Sequence, residues 1–173
     1  RDFGGVICYI KAELKHTFRS GLMQSEQYKD KAGILKSAIK GEEDGYIFYN
    51  LLAEKATNLE AKRRLENLRN DEKRHKAVLI NLYKKFVGGD IGELPAKGIN
   101  ALAQVFEKGR LKKLRSEIDY INLAINAELA AVKFYKEEKN LVEDTDFRQI
   151  MEQLEEEEHS HYELLMAERE AMS

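Results

Sequence analysis

Four long stretches of the chain are amphipathic, with apolar residues recurring at the spacing that places them on one face of an α-helix. They run over Lys31–Ala56, Leu59–Phe86, Leu111–Asn140 and Asp146–Ala171. The break within each pair is short and carries residues that cap helix starts, namely Thr57, Asn58, Asp144, Thr145 and Asp146. The pattern therefore predicts two antiparallel helical hairpins.

A longer connection separates the two hairpins. Gly88–Gly98 reads GGDIGELPAKG and breaks any helix, whereas Ile99–Lys108 has the spacing of a short amphipathic helix. Two hairpins joined by one long connection form the layout of ferritin-like bundles. We predict an all-α fold, a ferritin-like antiparallel four-helix bundle over residues 31–173 with one long crossover between helices 2 and 3.

An N-terminal extension, residues 1–30, lies outside the four-segment plan. It carries Val6, Ile7, Ile10, Leu14 and Phe18 at helical spacing. We expect this extension to be helical and to pack its apolar face on the bundle or on a partner subunit.

Composition agrees with a helical domain and excludes several kinds of protein. Charged residues make up 35% and hydrophobic residues 43% of the 173 positions, and the net charge of −2 gives no sign of a nucleic-acid surface. The single cysteine, Cys8, excludes an internal disulfide or a Cys-x-x-Cys metal site. No apolar run approaches the ~20 residues that a membrane helix needs. We expect a cytoplasmic protein that binds neither nucleic acid nor membrane.

A Glu-x-x-His pattern puts two metal-binding side chains one turn apart on a helix. The pattern alone has little value here, because a glutamate precedes every histidine by three residues. The four pairs are Glu13/His16, Glu72/His75, Glu156/His159 and Glu158/His161.

An internal repeat separates these pairs. A shift of 86 residues lays AIKGEEDGYIFY, from Ala38, over AINAELAAVKFY, from Ala124. The same shift relates three pairs of polar residues, Glu42/Glu128, Glu72/Glu158 and His75/His161. Each half thus has one glutamate followed by a Glu-x-x-His that begins 30 residues later, and all six lie on apolar seams. Glu156/His159 and Glu13/His16 fail these tests, and we expect Glu155, Glu156, Glu157 and His159 to face solvent.

Four buried carboxylates without counter-charges would each cost several kcal/mol or take up a proton. Two divalent cations would balance their four negative charges, and two histidines would complete the metal shells. Mixed carboxylate and imidazole ligation suits iron or manganese, and zinc also fits. The alternative is a buried hydrogen-bond network without metal, which is less consistent with six symmetrically related residues.

Tyr49 and Tyr135 each lie two turns after a candidate ligand, Glu42 or Glu128. Either tyrosine could hydrogen-bond a ligand carboxylate, and either could be an ordinary core aromatic. The sequence favours neither reading.

These motifs resemble the rubrerythrin-like branch of the ferritin-like superfamily, over about residues 34–165. The matching pieces are GEEDGYIFY, NDEKRH, NAELAAVKFY and EHSH. The resemblance implies two iron ions per chain, with Glu72 and Glu158 bridging them and Glu42 and Glu128 as terminal ligands. Rubrerythrins proper also have a four-cysteine rubredoxin domain, to which nothing in this sequence corresponds, and an extra glutamate where this chain has Ala131.

The resemblance implies a di-iron redox protein that reduces hydrogen peroxide or dioxygen in oxidative-stress defence. We expect a homodimer that takes electrons from a separate protein such as a rubredoxin. The alternatives are a ferroxidase or an iron storage or delivery protein, and a metal-free structural or interaction bundle.

Overall fold

A computed structural model describes residues 31–99 and 116–172 of the chain. In these ranges four α-helices carry the structure and no strand occurs. They are α1 (31–55), α2 (Leu59–Phe86), α3 (Glu117–Glu138) and α4 (Thr145–Ala171). Together they form the predicted all-α, ferritin-like four-helix bundle.

The helix starts follow local capping chemistry. The Asn58 side chain accepts hydrogen bonds from the backbone amides of Glu60 and Ala61, and Asp144 caps α4 through the amide of Phe147. Asn58 and Asp144 are related by the 86-residue shift, and so are the first residues of α2 and α4. The repeat therefore extends to the ends of the helices.

The predicted start of the third helix at Leu111 is wrong. α3 begins at Glu117, because Ser116 has an extended backbone and forms a reciprocal capping box with Asp119. The Ser-x-x-Asp pattern is visible in the sequence and marks this boundary better than the apolar spacing does.

Side-chain contacts join helices of the two hairpins and helices within one hairpin. Arg64 of α2 pairs with Glu168 of α4 at 2.6 Å, and Lys76 of α2 pairs with Glu43 of α1 at 2.7 Å. Tyrosine hydroxyls of α1 and α3 reach carboxylates on each other's helix. The apolar core lies between the helices and surrounds the polar residues described below.

The first part of the crossover packs directly on α1. A Cβ added at Gly98 would lie 2.5 Å from the backbone nitrogen of Gly41, and one added at Gly41 would lie 2.7 Å from Ile99 Cδ1. Glycine at both positions lets the buried Ile99 side chain close on α1 immediately before Glu42. The crossover therefore contacts α1 directly next to Glu42, the first residue of the polar cluster along the chain.

Two predictions fall on residues outside the described ranges. They concern the N-terminal extension, residues 1–30, and most of the short helix expected over Ile99–Lys108. Within the described ranges, no helix combines the length and apolar character needed to cross a membrane.

Candidate metal centre

Six predicted site residues are buried in the middle of the bundle, and all four helices contribute to them. At most 8% of any of these residues is exposed. They are Glu42 of α1, Glu72 and His75 of α2, Glu128 of α3, and Glu158 and His161 of α4. Each one lies on the apolar seam of its helix, as the sequence pattern predicted.

Their donor atoms form two overlapping groups, and within each group the atoms lie within 4.8 Å of one another. One group contains Glu42, His75 and Glu158, and the other contains Glu72, Glu128, Glu158 and His161. Because Glu158 belongs to both groups, its carboxylate has the position of a bridge between two sites.

Three buried atoms of the first group have no hydrogen-bond partner. They are Oε2 of Glu42, Nδ1 of His75 and Oε1 of Glu158. Nδ1 of His75 lies 2.8 Å from the Glu158 oxygen and 3.3 Å from the Glu42 oxygen, close enough for ion pairs when the ring is protonated. In the metal-free protein the proton on His75 therefore compensates part of the negative charge that a bound cation would otherwise balance. Two carboxylate oxygens and an imidazole nitrogen pointing at one another fit a divalent metal ion.

Gly45 makes room for one of the carboxylates. A Cβ at this position would lie 2.3 Å from Oε2 of Glu72 and 2.7 Å from its Cδ. The absence of a side chain one turn after Glu42 therefore lets the Glu72 carboxylate lean against α1. The 86-residue shift relates Gly45 to Ala131 of α3, and we call residues related in this way repeat mates. Ala131 is also buried.

The two tyrosines cross between the hairpins. The hydroxyl of Tyr49 donates to Oε1 of Glu128, and the hydroxyl of Tyr135 donates to Oε1 of Glu42. Both rings are buried, and burial followed by the neighbouring carboxylates raises the pKa of each phenol well above its usual value. Each phenol therefore stays protonated and remains a hydrogen-bond donor to the glutamate of the other hairpin.

The outward nitrogen of each histidine also meets an acid from the other hairpin. Nε2 of His75 lies 2.9 Å from Oε2 of Glu157, and Nε2 of His161 lies 3.4 Å from Oδ2 of Asp71. Asp71 and Glu157 are themselves related by the 86-residue shift. An acid behind the outer nitrogen orients the ring and turns its Nδ1 inward, which is the usual support of a metal-binding histidine.

Asp71 was not predicted from the sequence, and two of the acids expected to face solvent, Glu155 and Glu157, are partly buried. Only 18% of the Glu155 side chain is exposed, and it pairs with Lys139 at 2.6 Å. Glu157 is half-buried against His75. The relation between Asp71 and Glu157 under the repeat shift was the signal that could have found both.

Arg74 pairs with both of the acids that lie beside the histidine Nε2 atoms, Asp71 and Glu157, which we call the outer acids. Its guanidinium lies 2.6 Å from Glu157 and 3.0 Å from Asp71, and it holds the pKa of Glu157 below its usual value. The repeat mate of Arg74 is Ser160, so the arginine has no equivalent in the second half. The two histidine environments are therefore similar but not identical.

The Glu156/His159 pair lies outside the cluster, as predicted. Both residues are exposed, and His159 faces Glu163 at 3.4 Å on the surface of α4. Glu13 and His16 lie outside the described residues.

The acids of the cluster raise the pKa of both histidines. Burial disfavours a charged ring, but Glu158 and Glu42 outweigh it and raise the pKa of His75 to about 11. Glu128 and Glu158 likewise raise the pKa of His161 to about 10. Without metal, both rings therefore carry a proton at neutral pH.

The pKa values of the cluster carboxylates are shifted in different directions. Burial, and then Glu42, raise the pKa of Glu72 well above its usual value, and burial with Glu158 raises that of Glu128 to about 8. The pKa of Glu158 is lowered, because the two histidines outweigh the effect of its burial. In the absence of metal the cluster thus reduces its negative charge by holding protons, which a bound cation would displace.

Comparison with known proteins agrees with this geometry. The rubrerythrin family model matches residues 33–169, which include all six buried residues of the cluster. The fold is similar to that of a solved structure, the hypothetical protein Pfu-1136390-001 from Pyrococcus furiosus, at 28% sequence identity and a TM-score of 0.63. That match covers 81% of this chain and 88% of the other. A search of curated proteins finds no match. Since the family match extends over most of its length, this chain belongs to the rubrerythrin family of di-iron carboxylate proteins.

Proposed function

We propose that the chain binds two iron ions and uses them to reduce hydrogen peroxide or dioxygen. The observation that supports this most strongly is the convergence of six buried carboxylate and imidazole side chains into two overlapping groups, whose potential ligand atoms lie within 4.8 Å of one another. Four buried carboxylates are costly unless protons or cations compensate their charge, and two divalent ions would compensate all four.

The proposed ligands divide between two positions. Glu42 and His75 would hold one iron ion, and Glu128 and His161 would hold the other. Glu158 belongs to both groups of potential ligand atoms and Glu72 to the second, and the family resemblance implies that both glutamates would be shared by the two ions. Four carboxylates balance the charge of two divalent ions. When bound, a ferrous pair supplies the two electrons that the reduction of a peroxide requires.

The protein side chains prepare the site and control protons. Tyr49 and Tyr135 hold the terminal carboxylates in place from the opposite hairpin, and Asp71 and Glu157 orient the histidines. The surrounding apolar core limits access of water, so that charge interactions inside the site are stronger than in bulk solvent. The raised pKa values of Glu72 and Glu128 belong to the metal-free cluster, in which these carboxyls hold protons that a bound cation would displace.

The physiological setting follows the same proposal. We propose a cytoplasmic role in oxidative-stress defence, with a homodimer as the active form and a rubredoxin-like protein as the electron donor. The chain itself has one cysteine, whereas a rubredoxin-type iron site needs four.

The first experiment is a measurement of iron per chain after anaerobic reconstitution. We expect two ions in the wild type and a loss of both in the Glu72→Ala, Glu158→Ala variant. A matched control, Glu156→Ala with His159→Ala, removes the exposed Glu-x-x-His of the same helix and should retain two ions. Full iron retention in the first variant would show that the ligands are misassigned.

The second experiment tests the reaction. The reduced, iron-loaded protein is mixed with hydrogen peroxide, with dioxygen or with anaerobic buffer, and reoxidation is followed by absorbance. We expect reoxidation by at least one oxidant to be much faster than in buffer. Equal rates in all three mixtures would contradict the redox proposal, and continued uptake of iron beyond two ions per chain would favour iron storage instead.

A further inference from the structure

A cavity of about 210 Å³ lies at one end of the bundle, where α1 and α4 end and α2 and α3 begin. We call it the end pocket. Its walls are mainly apolar and are contributed by all four helices, with Leu52, Ala61, Leu65, Ile121, Ala124 and Leu165 among the lining residues.

The internal repeat shows what fills the corresponding space at the other end. Under the 86-residue shift, Ala61 corresponds to Phe147 and Leu65 to Met151. Phe147 and Met151 are both fully buried, and the ring of Phe147 packs edge-on against Phe86 with centroids 5.9 Å apart. The end pocket therefore occupies the place where the second half of the chain inserts a phenyl ring and a long apolar side chain.

Charge around the end pocket argues against a strongly ionic occupant. Glu168, which lines the cavity, has a side chain only 14% exposed and is already paired with Arg64 at 2.6 Å. The other charged lining residues, Lys55 and Glu117, are exposed and of opposite sign. Among the described residues that line the end pocket, a charged molecule would therefore find no matched partner to compensate for leaving water.

We propose that the end pocket binds a small, uncharged organic molecule that carries a single aromatic ring. The volume agrees with such a molecule, because an engineered apolar cavity of about 150 Å³ in another protein stays dry and binds benzene. The repeat independently supports an aromatic occupant, because the phenyl ring of Phe147 occupies the equivalent position at the opposite end of the bundle.

The end pocket lies next to the candidate metal centre. Ala124 lies four residues before Glu128 and Leu165 lies four residues after His161, so each of these two residues is about 6 Å along its helix from a proposed ligand. Leu52 follows Tyr49, whose hydroxyl donates to Glu128. Binding of the molecule needs no metal, and only its relevance to metal chemistry rests on the proposed function.

Toluene is a suitable test molecule, and NMR titration of the 173-residue chain is a suitable measurement. The titration is done on the metal-free protein and on the diamagnetic Zn²⁺-treated protein. We expect saturable shifts centred on Ala61, Leu65 and Leu165 in both samples, and binding of benzoate at least about tenfold weaker than that of toluene. Shifts that do not saturate, that centre elsewhere, or that are as strong with benzoate would overturn the proposal.

The opposite end of the bundle, which Phe86, Phe147 and Met151 occupy and which we call the filled end, suggests the decisive variant. Ala61→Phe with Leu65→Met copies the residues of the filled end into the end pocket and should weaken toluene binding by at least about tenfold. Leu65→Phe is the second variant, in case the double variant does not fold. Ile47→Phe enlarges an exposed apolar residue outside the end pocket and should leave the affinity unchanged. Unchanged binding in a folded pocket-filling variant would overturn the proposal.

Other occupants predict different results. If toluene converts a dimer to monomers, the end pocket is an interface between copies and the proposal is wrong. If deletion of residues 1–22 raises toluene affinity tenfold, the chain's own extension competes for the site, and the proposal is again wrong. Failure of the metal centre is seen separately, as absence of Zn²⁺ binding while toluene still binds.

Discussion

At the scale of single residues, the cluster is built from contacts that cross between the two halves of the chain. Tyr49 and Glu157 support residues of the opposite hairpin, and so do their repeat mates Tyr135 and Asp71. Each half thus supplies ligands whose orientation depends on the other half. A single hairpin would leave these carboxylates and rings without their hydrogen-bond partners.

The outer acids should control metal affinity without being ligands. We expect Asp71→Asn combined with Glu157→Gln to weaken Zn²⁺ binding by about 10–100-fold, because the histidine rings lose the acids that orient them and raise their basicity. Competition with a chromophoric chelator measures the effect. Glu156→Gln, on the exposed side of α4, is the control and should bind as the wild type does. Equal affinity in all three proteins would contradict the assigned role.

The protonated histidines predict an unusual pH dependence of the metal-free protein. Their pKa values, about 11 for His75 and about 10 for His161, lie above the unfolded value near 6.5. The raised pKa of Glu128, about 8, acts in the same direction from pH 4.5 upward. The folded state therefore holds more protons than the unfolded state, and the stability that this provides is lost as pH rises.

We expect the Tm of the metal-free protein, followed by circular dichroism in EDTA, to fall steadily between pH 6 and pH 9. Zn²⁺ displaces the protons, so the loaded protein should show a much smaller change over the same range. A Tm of the metal-free protein that rises with pH would contradict the proton-holding cluster.

The six cluster residues could be predicted from the sequence because they satisfy three patterns together: spacing, repetition and an apolar seam. Asp71 and Glu157 satisfy the repetition but not the seam, since an acid at the edge of a helix interface has the same local pattern as an exposed one. Their contacts depend on how closely α2 approaches α4, and apolar spacing does not specify this distance. The tyrosine partners across the hairpins were unpredictable for the same reason.

At the scale of helices, the site depends on close approaches that only glycine permits. Gly98 brings the crossover onto the backbone of α1 beside Gly41, and Gly45 admits the carboxylate of Glu72. The sequence marks these residues as helix breakers or weak helix formers and gives no sign of what approaches them. Apolar spacing also extended α3 too far, because it does not detect the capping box at Ser116.

Two glycine substitutions should therefore have opposite effects. Gly98→Ala puts a methyl group against the α1 backbone and should destabilise the protein by about 1–3 kcal/mol. Gly33→Ala is the matched control in α1, where nothing lies within 4 Å, and should stabilise it by about 0.5–1 kcal/mol through helix propensity. Urea unfolding of the metal-free proteins gives both values. A loss of stability in Gly33→Ala as large as that in Gly98→Ala would contradict the close-contact explanation.

At the scale of the whole molecule, the internal repeat places a nearly symmetric centre between two unlike ends. One end is filled by Phe86, Phe147 and Met151, whereas the other contains the end pocket. The fold class and hairpin order follow from the sequence, because long periodic helices and short breaks allow few arrangements. The difference between the ends does not, since it arises from how side chains of four helices meet.

The filled end should contribute strongly to stability. Phe147→Ala removes a fully buried ring and should cost about 3–5 kcal/mol in the free energy of unfolding. Leu141→Ala, where the side chain is mostly exposed, should change stability by less than about 0.5 kcal/mol. Similar effects of the two substitutions in urea unfolding would show that the ring is not packed as described.

Anomalous X-ray scattering from a crystal of the iron-loaded protein, recorded at the iron edge, tests the two-metal centre most directly. The account predicts two peaks inside the bundle, one beside Glu42 and His75 and the other beside Glu128 and His161, with Glu158 between them. Loaded crystals with no peak within the bundle, or with a peak only at the exposed Glu156 and His159, would contradict it.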